Sequence, residues 1–83
     1  MAKVEALLAK MRENPKGVSF SDLAKVCQHY FGDHRSRGSH YVYKTPWQGD
    51  PRVNIQDDHG QAKPYQVRQV LTAVDKITRE EES

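Results

Sequence analysis

With Cys27 as its only cysteine, the chain has no route to an internal disulfide, and His34, His40 and His59 lack the i, i+4 or Cys-paired spacing of metal ligands. Neither a metal nor a cofactor is expected, and a lone thiol suits a reducing cytosol. Long apolar runs are missing as well. No stretch approaches the roughly 18 apolar residues that mark a membrane span. The opening segment MAKVEALLAKMREN is charged throughout, unlike the apolar centre of a secretion signal. The expectation is a cytoplasmic protein without a membrane-spanning segment. Internal repeats are absent, and low complexity is confined to the acidic tail Glu80, Glu81, Glu82. A dominant charge sign is absent too: 13 Lys and Arg residues oppose 11 Asp and Glu, a net of +2. Composition therefore announces no polyanionic partner, and only the distribution of charge can. That distribution is uneven, since residues 34–49 carry Arg35, Arg37 and Lys44 with no acid.

What is present suffices for one domain over residues 1–83, whose 36% apolar content allows only a small core. Val4, Leu7, Leu8 and Met11 predict an amphipathic helix over residues 2–13, an N-terminal extension stopped by Asn14-Pro15 and Gly17. Ser19 is placed to cap a second helix, with Asp22 at the capping-box position. Phe20, Leu23, Ala24, Cys27, Tyr30 and Phe31 form its inward stripe, and Gly32 supplies a left-handed stop. Extended runs follow. His34 to Arg37 is polar but strand-like in place, His40 to Thr45 is β-branched and aromatic, and Arg52 to Gln56 alternates cleanly. Pro46, Gly49 and Pro51 mark the turn between the last two, with Asp57 to Gly60 closing the third strand. A last helix runs from Pro64 to about Arg79 on Val67, Val70, Leu71, Val74 and Ile77.

The predicted fold class is α+β, a three-stranded antiparallel sheet with helices on one face, in the order helix, helix, strand, strand, strand, helix. Period two then sorts the side chains. Tyr41 and Tyr43, like Val53 and Ile55, belong to the core, which sends His40, Val42 and Lys44 to the open face with Arg52, Asn54 and Arg35 or Arg37. Such a surface suits a polyanion.

Arg35-Ser36-Arg37-Gly38-Ser39-His40 combines two guanidiniums, a glycine that lets backbone approach a ligand, a hydroxyl and an imidazole. Guanidiniums fit phosphate oxygens, and imidazole is the side chain best suited to take and return a proton near neutrality. The bland reading of the same stretch is a solvated basic edge. The order of the capped helix SFSDLAKVCQHYF, the Gly38-Ser39-His40 tripeptide between two strands, the strand Tyr41-Val42-Tyr43-Lys44, the return strand Val53-Asn54-Ile55 and a C-terminal helix resembles the HicA toxins over roughly residues 19–77. The resemblance implies a core over residues 19–79 with a fold like a double-stranded-RNA-binding domain (dsRBD-like). It also implies an endoribonuclease acting on mRNA, His40 as catalyst with Gly38 and Ser39 shaping its approach, and a cognate HicB-like antitoxin that covers the active face. Arg35, Arg37, Lys44 and Arg52 are the phosphate contacts this reading requires, Lys44 and Arg37 offsetting charge on the phosphoryl oxygens.

Two other functions fit the residues: a non-catalytic RNA-binding module using the same face, and an adaptor whose first helix docks a protein. His29 and His59 read as surface histidines, and His34 as a solvated strand residue in preference to a catalytic assistant. Cys27 reads as core, not nucleophile. Trp47 fits either stacking on a base or pinning its turn to the domain.

Overall fold

A computed structural model of the chain describes residues 4–45 and 52–82. Its architecture is α+β, with three α-helices and a four-stranded antiparallel sheet in spatial order β1-β2-β3-β4. The elements are α1 (Val4–Glu13), a 3₁₀ turn (Pro15–Gly17), α2 (Phe20–Phe31), β1 (His34–Arg37), β2 (His40–Tyr43), β3 (Val53–Asp58), β4 (Gln61–Ala62) and α3 (Pro64–Glu82). Among the described residues no helix is long and apolar enough to cross a membrane.

The helices form where periodicity and capping agree. Ser19, in an extended conformation, accepts a hydrogen bond on its hydroxyl from the Asp22 N–H at 3.2 Å, which satisfies one of the first-turn donors of α2. Phe20, Leu23, Val26 and Cys27 then fall on the buried side of α2. At its other end Gly32 donates its N–H to the Gln28 carbonyl at 3.0 Å and turns the chain at φ 85°, ψ −152°. This is a positive-φ stop of a different kind from the expected left-handed one, in a region open essentially to glycine alone. It is what lets β1 follow α2 with only two residues between them. In α3 the glutamates extend the helix to Glu82, beyond the expected end near Arg79, as good helix formers do.

The expected three-stranded sheet is one strand short. β3 does not close at Asp57 but continues to Asp58, and His59 (φ 53°) and Gly60 (φ 85°) reverse the chain into β4. Positive φ at both loop residues is the requirement of a two-residue type I′ hairpin, and histidine is among the few non-glycine side chains that enter this region readily. The Gly60 N–H donates to the Asp57 side chain at 2.7 Å. Outside the sheet, β4 is bonded to the segment leading into α2: the Ala62 N–H donates to the Val18 carbonyl at 2.9 Å, and the Phe20 N–H to the Gly60 carbonyl at 3.0 Å.

α2 and α3 lie across one face of the sheet, where Tyr43 and Val53 are buried and Ile55 is fully enclosed. Burial of each such side chain is worth about 1.5–3 kcal/mol. Tyr41 shares this face but sits at its rim, half-buried, with its ring edge-on to Phe20 at 4.9 Å. α1 lies against α2 and α3 and buries Leu7, Leu8 and Met11 in the same core. Its apolar stripe is thus occupied from within, which removes the surface that the adaptor reading needed. Arg12 of α1 forms a bidentate pair with Asp75 of α3, which holds the Asp75 carboxyl below the usual carboxylate range. Both partners are solvated, so the pair contributes less than about 1 kcal/mol.

Replacing Gly32 by Ala forces a Cβ onto a conformation that side chains avoid, although space for the atom exists. The expected outcome is a loss of about 1–3 kcal/mol, seen as a lower thermal unfolding midpoint. An unchanged midpoint would show that the chain leaves α2 by another path.

Candidate functional site

Two residues, Gly38 and Ser39, join β1 to β2, with Arg37 directly opposite His40. Only the first has positive φ, at 59°, which is the pattern of a type II′ hairpin and the reason a glycine stands there. The Asp57 N–H donates to the Ser39 carbonyl at 3.0 Å, so the hairpin tip is fixed against β3. Gly38 and Ser39 therefore build the turn that begins β2 at His40. The space above Gly38 is open.

From this turn the register follows. β1 pairs with β2 as Arg35↔Val42, and β2 with β3 as His40↔Gln56 and Val42↔Asn54. Because Tyr43, Val53 and Ile55 point into the core, their neighbours point out. Arg35, Arg37, His40, Val42, Arg52 and Asn54 line one open depression of about 540 Å³ on the outer face of the sheet. A second depression of about 480 Å³ shares Arg35, Val42 and Arg52 with the first and adds Lys44, Asp33 and His34. The cationic surface is therefore continuous from Arg37 to Lys44. Successive levels of outward side chains on one strand are roughly 7 Å apart, and His40 lies at the hairpin end of the track.

His40 is half-buried, and its Nδ1 lies 3.2 Å from the Asn54 Oδ1 across the β2–β3 pair. An amide oxygen can only accept, so this contact requires the tautomer with the proton on Nδ1 and the lone pair on Nε2. The Asn54 contact is the feature that strand-by-strand reading missed. Alternation places Asn54 on the open face, but only the register brings it diagonally beside the ring. Gln66 is a second such residue. It is buried near the start of α3, and its Oε1 accepts from the Gln56 N–H at 2.8 Å, opposite His40 in β2. This anchors β3 where β4 has already ended.

The other histidines lie outside the 540 Å³ depression, although His34 lines the second one. His34 is on the helix-facing side of β1, its ring stacked on Tyr41 at 3.8 Å and 10°. Of the four histidines, only His40 lines the 540 Å³ depression. His29 is exposed on α2, and His59 occupies the β3–β4 turn. Trp47 and its surrounding turn lie outside the described residues. Among the described residues no three of His, Cys, Asp and Glu are grouped as metal ligands.

Cys27 is fully buried, and burial pushes its thiol up to about 12. The reactive thiolate is then scarce in the folded protein. We expect native protein at pH 8 to resist iodoacetamide and to be alkylated once unfolded by guanidinium. Rapid modification of the native state would contradict the burial of Cys27. Neither this thiol nor the buried Tyr43 phenol, which burial also lifts above its usual range, offers chemistry to the outer face. The chemistry available there is one oriented imidazole among guanidiniums, and the chain that carries it matches no family model, no curated protein and no solved structure.

Proposed function

We propose that the chain is an endoribonuclease of the kind the HicA toxins represent, a cytoplasmic mRNA-cleaving toxin with a dsRBD-like domain whose active face is the outer face of the sheet. The observation that carries this reading is the placing of His40 in one depression with Arg35, Arg37 and Arg52. Guanidiniums bind phosphate by paired N–H donors and position it, while imidazole moves the proton. Nε2 of His40 takes the proton of a ribose 2′-hydroxyl as that oxygen attacks the adjacent phosphorus. The imidazolium then returns a proton to the departing 5′-oxygen, leaving a 2′,3′-cyclic phosphate. Arg37 and Lys44 offset charge on the phosphoryl oxygens. A HicB-like antitoxin is the partner that covers this face in the cell.

The absence of a second histidine from the depression favours one alternative, an RNA-binding module in which His40 contacts phosphate or ribose without proton transfer. RNA incubated with purified protein in EDTA separates the two. The nuclease reading expects cleavage to cyclic-phosphate ends, and binding without cutting for a strand that is 2′-deoxy at the scissile ribose. His40→Ala, on the outer face, should keep the fold and lower cleavage roughly a hundred- to ten-thousandfold. Undiminished cleavage by soluble His40→Ala would remove His40 from the reaction.

Binding has its own test. Arg35→Ala with Arg37→Ala should flatten the dependence of log affinity on log salt, by about 0.7 for each phosphate of single-stranded RNA that the protein no longer neutralises. An unchanged slope would move the binding face elsewhere.

A further inference from the structure

We propose that Asn54 is the positioning residue for His40: its amide oxygen holds Nδ1–H and thereby turns Nε2 toward the phosphate-binding surface. The catalytic consequence rests on the nuclease reading, whereas the orientation of the ring does not.

Three features make Asn54 suited to this task. Its backbone is pinned on both sides, because Val53 is buried and Ile55 is fully enclosed, so the exposed side chain leaves β3 from a fixed point. Its Oδ1 is 3.2 Å from the His40 Nδ1 on the neighbouring strand, a diagonal contact of the kind that stabilises paired strands. Its group is also neutral. An imidazolium formed among Arg35, Arg37 and Arg52 carries a donor on each ring nitrogen, so it needs an acceptor at Nδ1. An amide nitrogen cannot serve, since both ring nitrogens of the cation are donors; the cation therefore selects the amide oxygen.

An aspartate at this position would also accept from Nδ1–H. Its negative charge, however, would draw the guanidiniums to itself and repel the phosphate they are arranged to bind. Asparagine supplies direction without that charge. When Nε2 takes the 2′-hydroxyl proton and the oxygen–phosphorus bond forms, the amide dipole stabilises the resulting cation. When the bond from phosphorus to the 5′-oxygen breaks, the same proton leaves from Nε2, with Nδ1–H held throughout.

The experiment combines long-range proton–nitrogen NMR of ¹⁵N-labelled protein with steady-state cleavage of an RNA oligonucleotide. In the parent at alkaline pH, His40 should be chiefly the Nδ1–H tautomer. Asn54→Ala should move the ring toward the Nε2–H tautomer and lower kcat roughly ten- to a hundredfold, by analogy with the loss of orienting partners at metal-bound histidines. Its KM should be little changed. Asn54→Asp should keep the Nδ1–H tautomer and most of kcat, and raise KM several-fold. The split between the two variants is a signature that a merely structural role does not produce. Asn54→Ala with the parent's tautomer overturns the proposal, whether or not kcat falls. So does an Asn54→Asp ring that matches the Ala variant. If the parent cuts no RNA, the nuclease reading falls, and the tautomer measurements still decide whether Asn54 orients His40.

Discussion

The alternation along β3 is the constraint from which the outer face derives. Ile55 is fully enclosed between the sheet and the helices, and Val53 is buried beside it. A one-residue slip of this strand would expose both and turn Asn54 into the core, exchanging two apolar burials for an amide without a partner. The register that avoids this cost sets Asn54 opposite Val42 and Tyr41 opposite Ile55. His40 then has to face outward, within reach of the amide. The outer face is thus fixed by residues that do not lie on it.

Turn geometry supplies what alternation cannot. Gly38 starts a two-residue hairpin, which fixes the phase of β1 against β2 and so puts Arg35 and Arg37 on the same side as His40. A longer loop would free that phase and allow the guanidiniums to leave the face. At the far end of β3, His59 and Gly60 turn the chain into a strand of only two residues, and Gln66 completes the edge by accepting from the Gln56 N–H. Losing that acceptor would leave a backbone donor unpaired at the level of His40, where strand position matters most.

Much of this was legible in the residues, and the parts that were not share a cause. Each of the three helices carries an apolar stripe repeated over at least two turns, and Ser19 and Pro64 mark two of their starts; signals of that length survive local noise. The outward placing of His40, Lys44, Arg52 and Asn54 followed from period two, once Tyr43 and Ile55 were assigned to the core, whereas the first strand offered Arg35 or Arg37. β4 has two residues, too few for any periodicity to register, and its turn uses His59 where a glycine or asparagine would have announced a hairpin. Tyr41 alternates as a core residue, yet it ends at the rim beside Phe20 and His34, because depth depends on how far a helix reaches across the sheet. The His40–Asn54 contact joins residues 14 apart and depends on strand register, which no single segment encodes.

Separating the core from the outer face has a consequence for how the protein can change. The cations and the imidazole project from strands whose stability comes from the opposite side, so replacing them removes little packing. The reverse does not hold. A cavity at Ile55 or Tyr43 would loosen β2 and β3 together, and a hydrogen bond of 3.2 Å between a half-buried ring and an exposed amide tolerates little strand movement before its geometry fails. A core mutation could therefore relax the diagonal between His40 and Asn54 before it unfolds the protein. α1 counters that tendency. By burying Leu7, Leu8 and Met11 against α2 and α3, it adds apolar burial behind the helices that support these strands. In a chain with so small a core, a helix remote from the outer face thus helps hold the ring and its acceptor in register.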